Sequence, residues 1–550
     1  MLRNKLRLSA AAVSLVLSVI AFGQGIDPAA SPEFRINSFE DDDQRIPLVD
    51  SDTSGRSVVI WQSRGQDAPG WSIFAQRLDQ DSEFLGGEFR INDYNIGSQD
   101  GQSLIVTPSG EFAVAWNGAD RRSMIDVVSL RRFNAQGQPL AGDRRISADT
   151  GSVQLLPRLG LASDNELVVS WEADSPGSGF DILTRRADDT GAASAPIELL
   201  NTETAGAQRR GDVAAAANGE VFAVWQDAVQ DGSDWGIFLR CLDAQGQGQV
   251  ERQVNQSTTG QQLRPRIARA VDGRTAVVWQ DTTGLSSFVY RRIMARVFDA
   301  NCEPLSEEMQ VNQFDDGLQD QPTLSVDAFG NFIIAWQSFP DDFELQGIYA
   351  RRLGRDGEFL SEEFKISQEI EAFQDFPAVT GLPDGGYLFV WESAGQDESG
   401  FGIYARRFDG PTASTLDIIS GGDQAAETNS LFANELVIEI RDQWGQPRSG
   451  ELVRVSSPDG RAGLVFSNGQ SSIDLATNAS GRLQIELRAN GVAGRYQVRV
   501  EVLDNGIEER FSLENIAGAD AFQTIPVPLL HPSALLLLCF LIVILVRGRL

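Results

Sequence analysis

The chain has almost no histidine and almost no lysine. Among its 550 residues stand one histidine, His531, and two lysines, Lys5 and Lys365. Cysteine is scarce too, with only Cys241, Cys302 and Cys539. These absences exclude a Ser-His-Asp triad, a Cys-His dyad and any His/Cys zinc site in the soluble part, because each needs an imidazole or several thiolates. A disulfide framework is excluded as well. Positive charge is also short: 46 Lys+Arg face 77 Asp+Glu, a formal net charge of −31. Nucleic acid is thereby excluded as a partner, since it demands a basic face that displaces counterions. What the chain has in quantity is glycine (53), phenylalanine (30) and apolar residues (42%), the composition of a folded, turn-rich protein with ample core.

Tryptophan recurs at Trp61, Trp116, Trp171, Trp225, Trp279, Trp336 and Trp391, at intervals of 55, 55, 54, 54, 57 and 55. Always 24 residues earlier stands Asn37, Asn92, Ser147, Asn201, Asn255, Asn312 or Ser367. Always 7 residues after that landmark comes Gln44, Gln99, Gln154, Gln208, Gln262, Gln319 or Gln374. A further column, 6 residues before each tryptophan, reads Gly55, Gly110, Asn165, Gly219, Gly273, Gly330 and Gly385. That column marks a turn with positive φ, where asparagine is the best substitute for glycine.

Each unit reads as four strands. The first follows the glutamine, the second is apolar throughout and ends in the tryptophan, the third resembles Gly402-Ile-Tyr-Ala-Arg-Arg-Phe-Asp409, and the fourth resembles Phe34-Arg-Ile-Asn37. Four-stranded units of this size are propeller blades. A stray fourth strand, Phe34 to Asn37, precedes the first unit, and the last unit stops after its third strand at Asp409. The two offcuts complement each other, so the sequence predicts seven blades, with the N-terminal strand pairing onto the last and removing the open edge.

Residues 34–409 resemble repeats of large secreted bacterial proteins, of the form V-W-Q-S-x-G-Q-D-x-S-G-x-G-I-Y-A-x-R-F-D. The best match runs from Val390-Trp391-Glu-Ser-Ala-Gly-Gln-Asp-Glu-Ser-Gly-Phe-Gly-Ile-Tyr to Asp409. The resemblance implies an extracellular setting and gives no activity. After a linker at 411–415, residues 416–518 change pattern: short alternating strands such as Glu435-Leu-Val-Ile-Glu-Ile440 and Arg495-Tyr-Gln-Val-Arg-Val500 suggest a β-sandwich. On Asp442-x-x-Gly445-x-Pro447, Thr477-Asn-Ala-Ser-Gly481 and Ala493-Gly-x-Tyr496-x-Val498 this segment is similar to an invasin/intimin-type Ig repeat, which implies a rigid stalk or an adhesive tip. The fold class expected is all-β: a propeller over 34–410, an Ig-like sandwich, and a C-terminal transmembrane helix.

The two ends read as targeting segments. Arg3, Lys5 and Arg7 precede an apolar run, and Ala21-Phe22-Gly23 has the small-x-small form of a signal-peptidase site, so residues 1–23 read as a signal peptide; an uncleaved anchor is the alternative. Residues 24–33 are a short lead. At the far end, beyond a linker at 519–528, Leu529 to Val546 carries no formal charge and reaches spanning length, and Arg547 and Arg549 mark its cytoplasmic side. On Pro526, Pro528, Leu529, Pro532 and Ala534 the tail resembles the IPTL-type sorting tails of Gram-negative bacteria, which implies processing by a membrane protease. A simple single-span anchor is the other reading. Either places the bulk of the protein outside the inner membrane, periplasmic or extracellular.

Length variation falls after the tryptophan, in the loop from second to third strand, on the face where propellers usually bind. Candidate binding residues there are Asp67, Trp71, Asp231, Trp235, Asp342, Phe343 and Asp397. The acidic column Asp67, Asp231, Asp342 and Asp397 offers hard oxygens for Ca²⁺, the one cofactor contemplated. The tryptophan column reads as core, and the seven glutamines as side chains bonding backbone between blades. The third-strand arginines Arg131, Arg185, Arg240, Arg296, Arg351 and Arg406 read as structural ion pairs, since the S-x-D-x-G-x-T-W boxes of sialidase propellers are absent. Cys241 and Cys302 either pair or stay as free buried thiols. No unit visibly breaks the repeat to present a pair of acids. The expectation is therefore a non-catalytic surface module binding a protein or polysaccharide, with a carboxylate-dependent glycan hydrolase as the alternative.

Overall fold

The structure is a computed structural model that describes residues 30–518 apart from 68–69, 95–96, 120–124, 149–150, 164–165, 176, 178, 249–250, 283–290, 316, 340–346, 370–371 and 397–398. The chain divides after Pro411 into two compact units.

Residues of the first unit form seven four-stranded antiparallel sheets. Six use consecutive strands; the seventh takes its outer strand from the N-terminus, with Phe34 opposite Ala405 and Arg35 opposite Tyr404. The inner strand of that seventh blade, Gln374–Gly381, packs beside the inner strand of the first, Gln44–Ser51, so the ring closes. The seventh sheet is thereby brought to the same four strands as the other six.

The repeated columns each have a mechanism. All seven tryptophans are buried and interleave with the neighbouring blade's core. They stand near the middle of the second strand, not at its end: Trp61 lies within Ser57–Arg64 and Trp391 within Tyr387–Ala394. The strand runs on because both its neighbours extend past the tryptophan and keep its amides paired. The Asn/Ser landmark ends the outer strand and replaces the next ladder bond with a side-chain acceptor. In every blade it takes the amide hydrogen of an apolar third-strand residue: Ile73, Val128, Ile182, Ile237, Ile293, Ile348 and Ile403, at 2.7–3.0 Å. The six described glycines of the turn column have φ between 80° and 92°; Asn165 lies outside the described residues.

The glutamines bond the connector leading into their own blade, as Gln44 to the Asp41 carbonyl, and the landmark of the blade before, as Asn37 to Gln44. The third-strand arginines correct the ion-pair expectation. Their guanidiniums chiefly take backbone carbonyls: Arg185 donates to Ala195 and Ile146, Arg296 to Ser306 and Val254, Arg351 to Ser361 and Val311, Arg406 to Ser31 and Ile366. One carbonyl is on the arginine's own blade and the other ends the outer strand of the preceding blade. Only a planar fork with several donors reaches both. Arg131 adds an ion pair with Asp93 at 2.8 Å. Cys241 and Cys302 are joined by a disulfide with Cα atoms 6.5 Å apart, which ties the fourth blade to the fifth.

In the second unit a three-stranded sheet and a five-stranded sheet enclose one apolar core that includes Ile438, Ile440, Val453, Val498 and Phe511. Its short motifs are turn caps. The Asp442 carboxylate accepts the amides of Trp444 and Gln446 and lets Gly445 take φ 77°; Asn478 does the same for Ser480 and Arg482 around Gly481 at φ 68°. Among the described residues no helix is long and apolar enough to cross a membrane. The expected signal peptide with Ala21 and Gly23, and the expected tail helix with Pro526, Pro528, Arg547 and Arg549, lie outside the described residues.

Candidate functional site

The seven inner strands surround a central channel of about 900 Å³. Six begin at the column glutamine and the sixth blade's one residue before it, at Leu318, and each is bulged just after the glutamine: register is lost between Arg45 and Leu48, and at the matching place in the other six blades. At the heart of each bulge, two residues past the glutamine, φ is positive: Ile46 (51°), Gly101 (59°), Leu156 (51°), Arg210 (56°), Arg264 (52°), Gln321 (50°) and Phe376 (49°). Six of these are not glycine, so each holds a left-handed conformation that costs about 1–2 kcal/mol. Proline follows in five blades, at Pro47, Pro157, Pro265, Pro322 and Pro377. It disfavours the right-handed region for the residue before it, and it gives up no ladder bond on a strand that faces a channel.

What secures the bulge is the residue after the tryptophan of the preceding blade. Glu392 accepts the Ile46 amide at 2.7 Å, Asn117 that of Leu156 at 3.0 Å, Glu172 that of Arg210 at 2.5 Å, Gln226 that of Arg264 at 2.9 Å and Gln337 that of Phe376 at 3.1 Å. In two blades this acceptor is a glutamate, and it then also holds an arginine: Glu392 holds Arg45 and Glu172 holds Arg209. Burial pushes the Glu392 carboxyl up, against the pull of Arg45 and the Ile46 amide.

Charge is not spread evenly round the channel. Its wall carries Arg158, Arg209, Arg210, Arg264, Arg266 and Arg269, all from the third to fifth blades, against Asp50, Asp100 and Asp212. Six arginines against three aspartates make a cationic lining in a chain of net charge −31. Asp212 stands within this basic arc, and the other acids gather on the opposite one. Asp50, on the first blade, accepts the amides of Val106 and Ser51, and burial pushes its carboxyl up to about 6. Asp100 is raised by burial although Asn117 donates to it. Asp375 is raised by burial and further by Asp320 on the preceding blade, while Arg45 and Arg264 pull it down. The inner strands thus break the repeat that the outer strands keep, contrary to the expectation of equivalent blades.

None of the loop residues singled out from the sequence lines this channel. Asp67 is exposed and paired with Arg90 at 2.6 Å. Trp71 is half-buried at the start of the third strand, opposite Arg64. Asp231 closes a turn on the Ser233 amide, and Trp235, half-buried, accepts the Gln262 amide on its carbonyl at 2.8 Å. The first two belong to one blade and the last two to another, and no shared pocket joins them. Asp342, Phe343 and Asp397 lie outside the described residues. Among the described residues no group of three or more His, Cys, Asp or Glu side chains is placed to hold a metal ion. The channel residues stand outside the columns that repeat, which is why the sequence reading missed them. The signal present was a column that does not: the positions after the glutamine read Arg-Ile, Asp-Gly, Leu-Leu, Arg-Arg, Leu-Arg, Asp-Gln and Asp-Phe from blade to blade.

No family model matches the chain, and no curated protein matches it. Solved structures do. A protein of unknown function from Dyadobacter fermentans is 10% identical with a TM-score of 0.44, covering 70% of this chain and 99% of its own. A polysaccharide lyase described as an ulvan lyase is 9% identical with a TM-score of 0.45, covering 67% of this chain and 95% of its own. The α-L-arabinanase of Penicillium chrysogenum is 15% identical with a TM-score of 0.39, covering 57% of this chain and 94% of its own. Two of these three are named as enzymes that cleave glycans. The channel sets carboxyls raised by burial opposite arginines, and on that ground the expectation of a non-catalytic module is withdrawn.

Proposed function

We propose that the chain is a glycan-acting enzyme of the carboxylate-dependent hydrolase class, with its site in the central channel. The observation that carries this reading is Asp50. Its carboxyl lines the channel, and its proton is held up to about pH 6, the condition a general acid needs near neutrality. Asp50 passes that proton to the glycosidic oxygen as the C–O bond breaks. Water adds to the anomeric carbon and gives its proton to a second carboxylate, Asp212, three blades round the ring, which takes the amides of Val213 and Ile267 and faces Arg158 at 3.7 Å. The same reading has the chain exported and held at the cell envelope by residues 529–550, which the Cys241–Cys302 disulfide supports, since such bonds persist in oxidising compartments.

The test is release of reducing ends from a panel of neutral and acidic polysaccharides by the full chain and by Asp50→Asn. The expected result is turnover that declines above about pH 6 as Asp50 loses its proton, and a kcat lower by about 10²–10⁴-fold in the variant. A polysaccharide that binds without any bond being cleaved overturns the reading, as does an unchanged kcat in Asp50→Asn.

A further inference from the structure

We infer that the basic arc of the channel is an oxyanion subsite that takes the carboxylate or sulfate group of an acidic glycan. The inference rests on the glycan reading above and names the substrate class within it. The subsite is built from Arg158, Arg210, Arg264 and Arg266, contributed by three consecutive inner strands.

Elsewhere in the propeller, arginines of the inner strands have matched carboxylates. Arg45 has Glu392, Arg209 has Glu172 at 3.0 Å, and Arg269 has Glu220 at 2.7 Å. The four arginines of the arc are different. Arg158 shares Asp212 at 3.7 Å; Arg264 donates to Gln321 at 2.8 Å and stands 4.0 Å from Asp320. The guanidiniums of Arg210 and Arg266 have no hydrogen bond or ion pair among the described residues. The four also crowd one another: burial, Arg158 and Arg264 push Arg266 down to about 9 against the pull of Asp212, and Arg210 is lowered by burial, Arg264, Arg266 and Arg209 against the pull of Glu172.

Like charges gathered on a half-buried wall destabilise a fold unless something answers them. In a chain with 77 acidic residues, carboxylates were available to do so, and three other arginines of these strands received them. Arg210 and Arg266, whose guanidiniums feel Glu172 and Asp212 but contact no carboxylate, are therefore a place kept for an external anion. Guanidinium forks match carboxylate and sulfate oxygens in pairs. A volume of about 900 Å³ is that of a small-molecule site, so the ligand is a chain end or short segment. A long polyanion is disfavoured besides by the net charge of −31 on the chain as a whole.

The experiment is calorimetric titration of the full chain at about 0.15 M salt, where the Debye length is about 8 Å and the outer field is screened. The probes are tetragalacturonate, a sulfated tetrasaccharide, cellotetraose and inorganic sulfate, each against wild type, Arg210→Gln and Arg266→Gln. The expected result is binding of one acidic oligosaccharide at least about tenfold tighter than cellotetraose, weakened about tenfold or more by each variant. The preferred acidic probe tells a uronate from a sulfate. The melting temperature of Arg266→Gln equals or exceeds that of wild type, a result that a purely structural arginine would not give. Equal affinity for cellotetraose and the acidic probes, unchanged in the variants, overturns the subsite while leaving the glycan reading standing. Arginine-dependent binding of inorganic sulfate with no oligosaccharide bound overturns the glycan reading, and the substrate class with it.

Discussion

Blades four and seven have the same outer strands. Trp225 and Trp391 are both fully buried; Asn255 and Asn37 both accept an isoleucine amide at 2.7 Å; Arg240 and Arg406 both reach back to the carbonyl that ends the preceding blade's outer strand. Their inner strands share a glutamine and a bulge and little else: Gln208-Arg-Arg-Gly-Asp212 stands where the other has Gln374-Asp-Phe-Pro-Ala378. The outer strands answer to packing, which is the same problem seven times over. The inner strands line the channel, and the charges they place there are asymmetric.

Breaking the shared part should cost most. Trp225→Ala opens a cavity between two blades and is expected to lower stability by about 3–5 kcal/mol, read as a shift of the urea midpoint. A loss below about 1 kcal/mol would mean that the blades relax independently. On the divergent part, Asp50 carries a pH-dependent contribution. Its folded-state carboxyl titrates higher than the unfolded one, so the stabilisation is whole below about pH 4 and is lost as pH rises through about 6. The difference in unfolding free energy between wild type and Asp50→Asn is expected to change by about 3 kcal/mol across that window, and a flat difference would refute the assignment. Asn312→Ala leaves the buried Ile293 amide without its acceptor and should cost about 1–3 kcal/mol, with Asn92→Ala in the first blade costing the same within error. Unequal costs for these two would show that even the outer strands are not interchangeable.

How much could be read from the chain follows the same division. The tryptophan, glutamine and landmark columns, and the ring closure through Phe34, were legible because packing and hydrogen bonding demand the same residue at the same place in each blade. The left-handed bulge was not, because Ile46, Leu156, Arg210, Arg264, Gln321 and Phe376 have no intrinsic taste for positive φ; an acceptor from another blade holds it, and the proline that follows most of them only closes off the right-handed alternative. The arginines of the third strand announced a structural task but not its chemistry, since carbonyl acceptors leave no trace in sequence. The channel charges were invisible to a search for repetition, because they are what does not repeat.

Joining the two ends of the ring has a consequence for biosynthesis. Phe34 pairs with Ala405, about 370 residues away, so the first piece of the ring to be made must wait for the last. At synthesis rates of about 5–20 residues per second that delay is on the order of 20–70 s. Throughout it the seventh sheet has no fourth member, and a polypeptide interrupted anywhere before Phe401 never acquires one. The clasp therefore works as a proof of completeness for the ring: only a molecule synthesised past Ala405 can lock, and one ended before it keeps an adhesive flank.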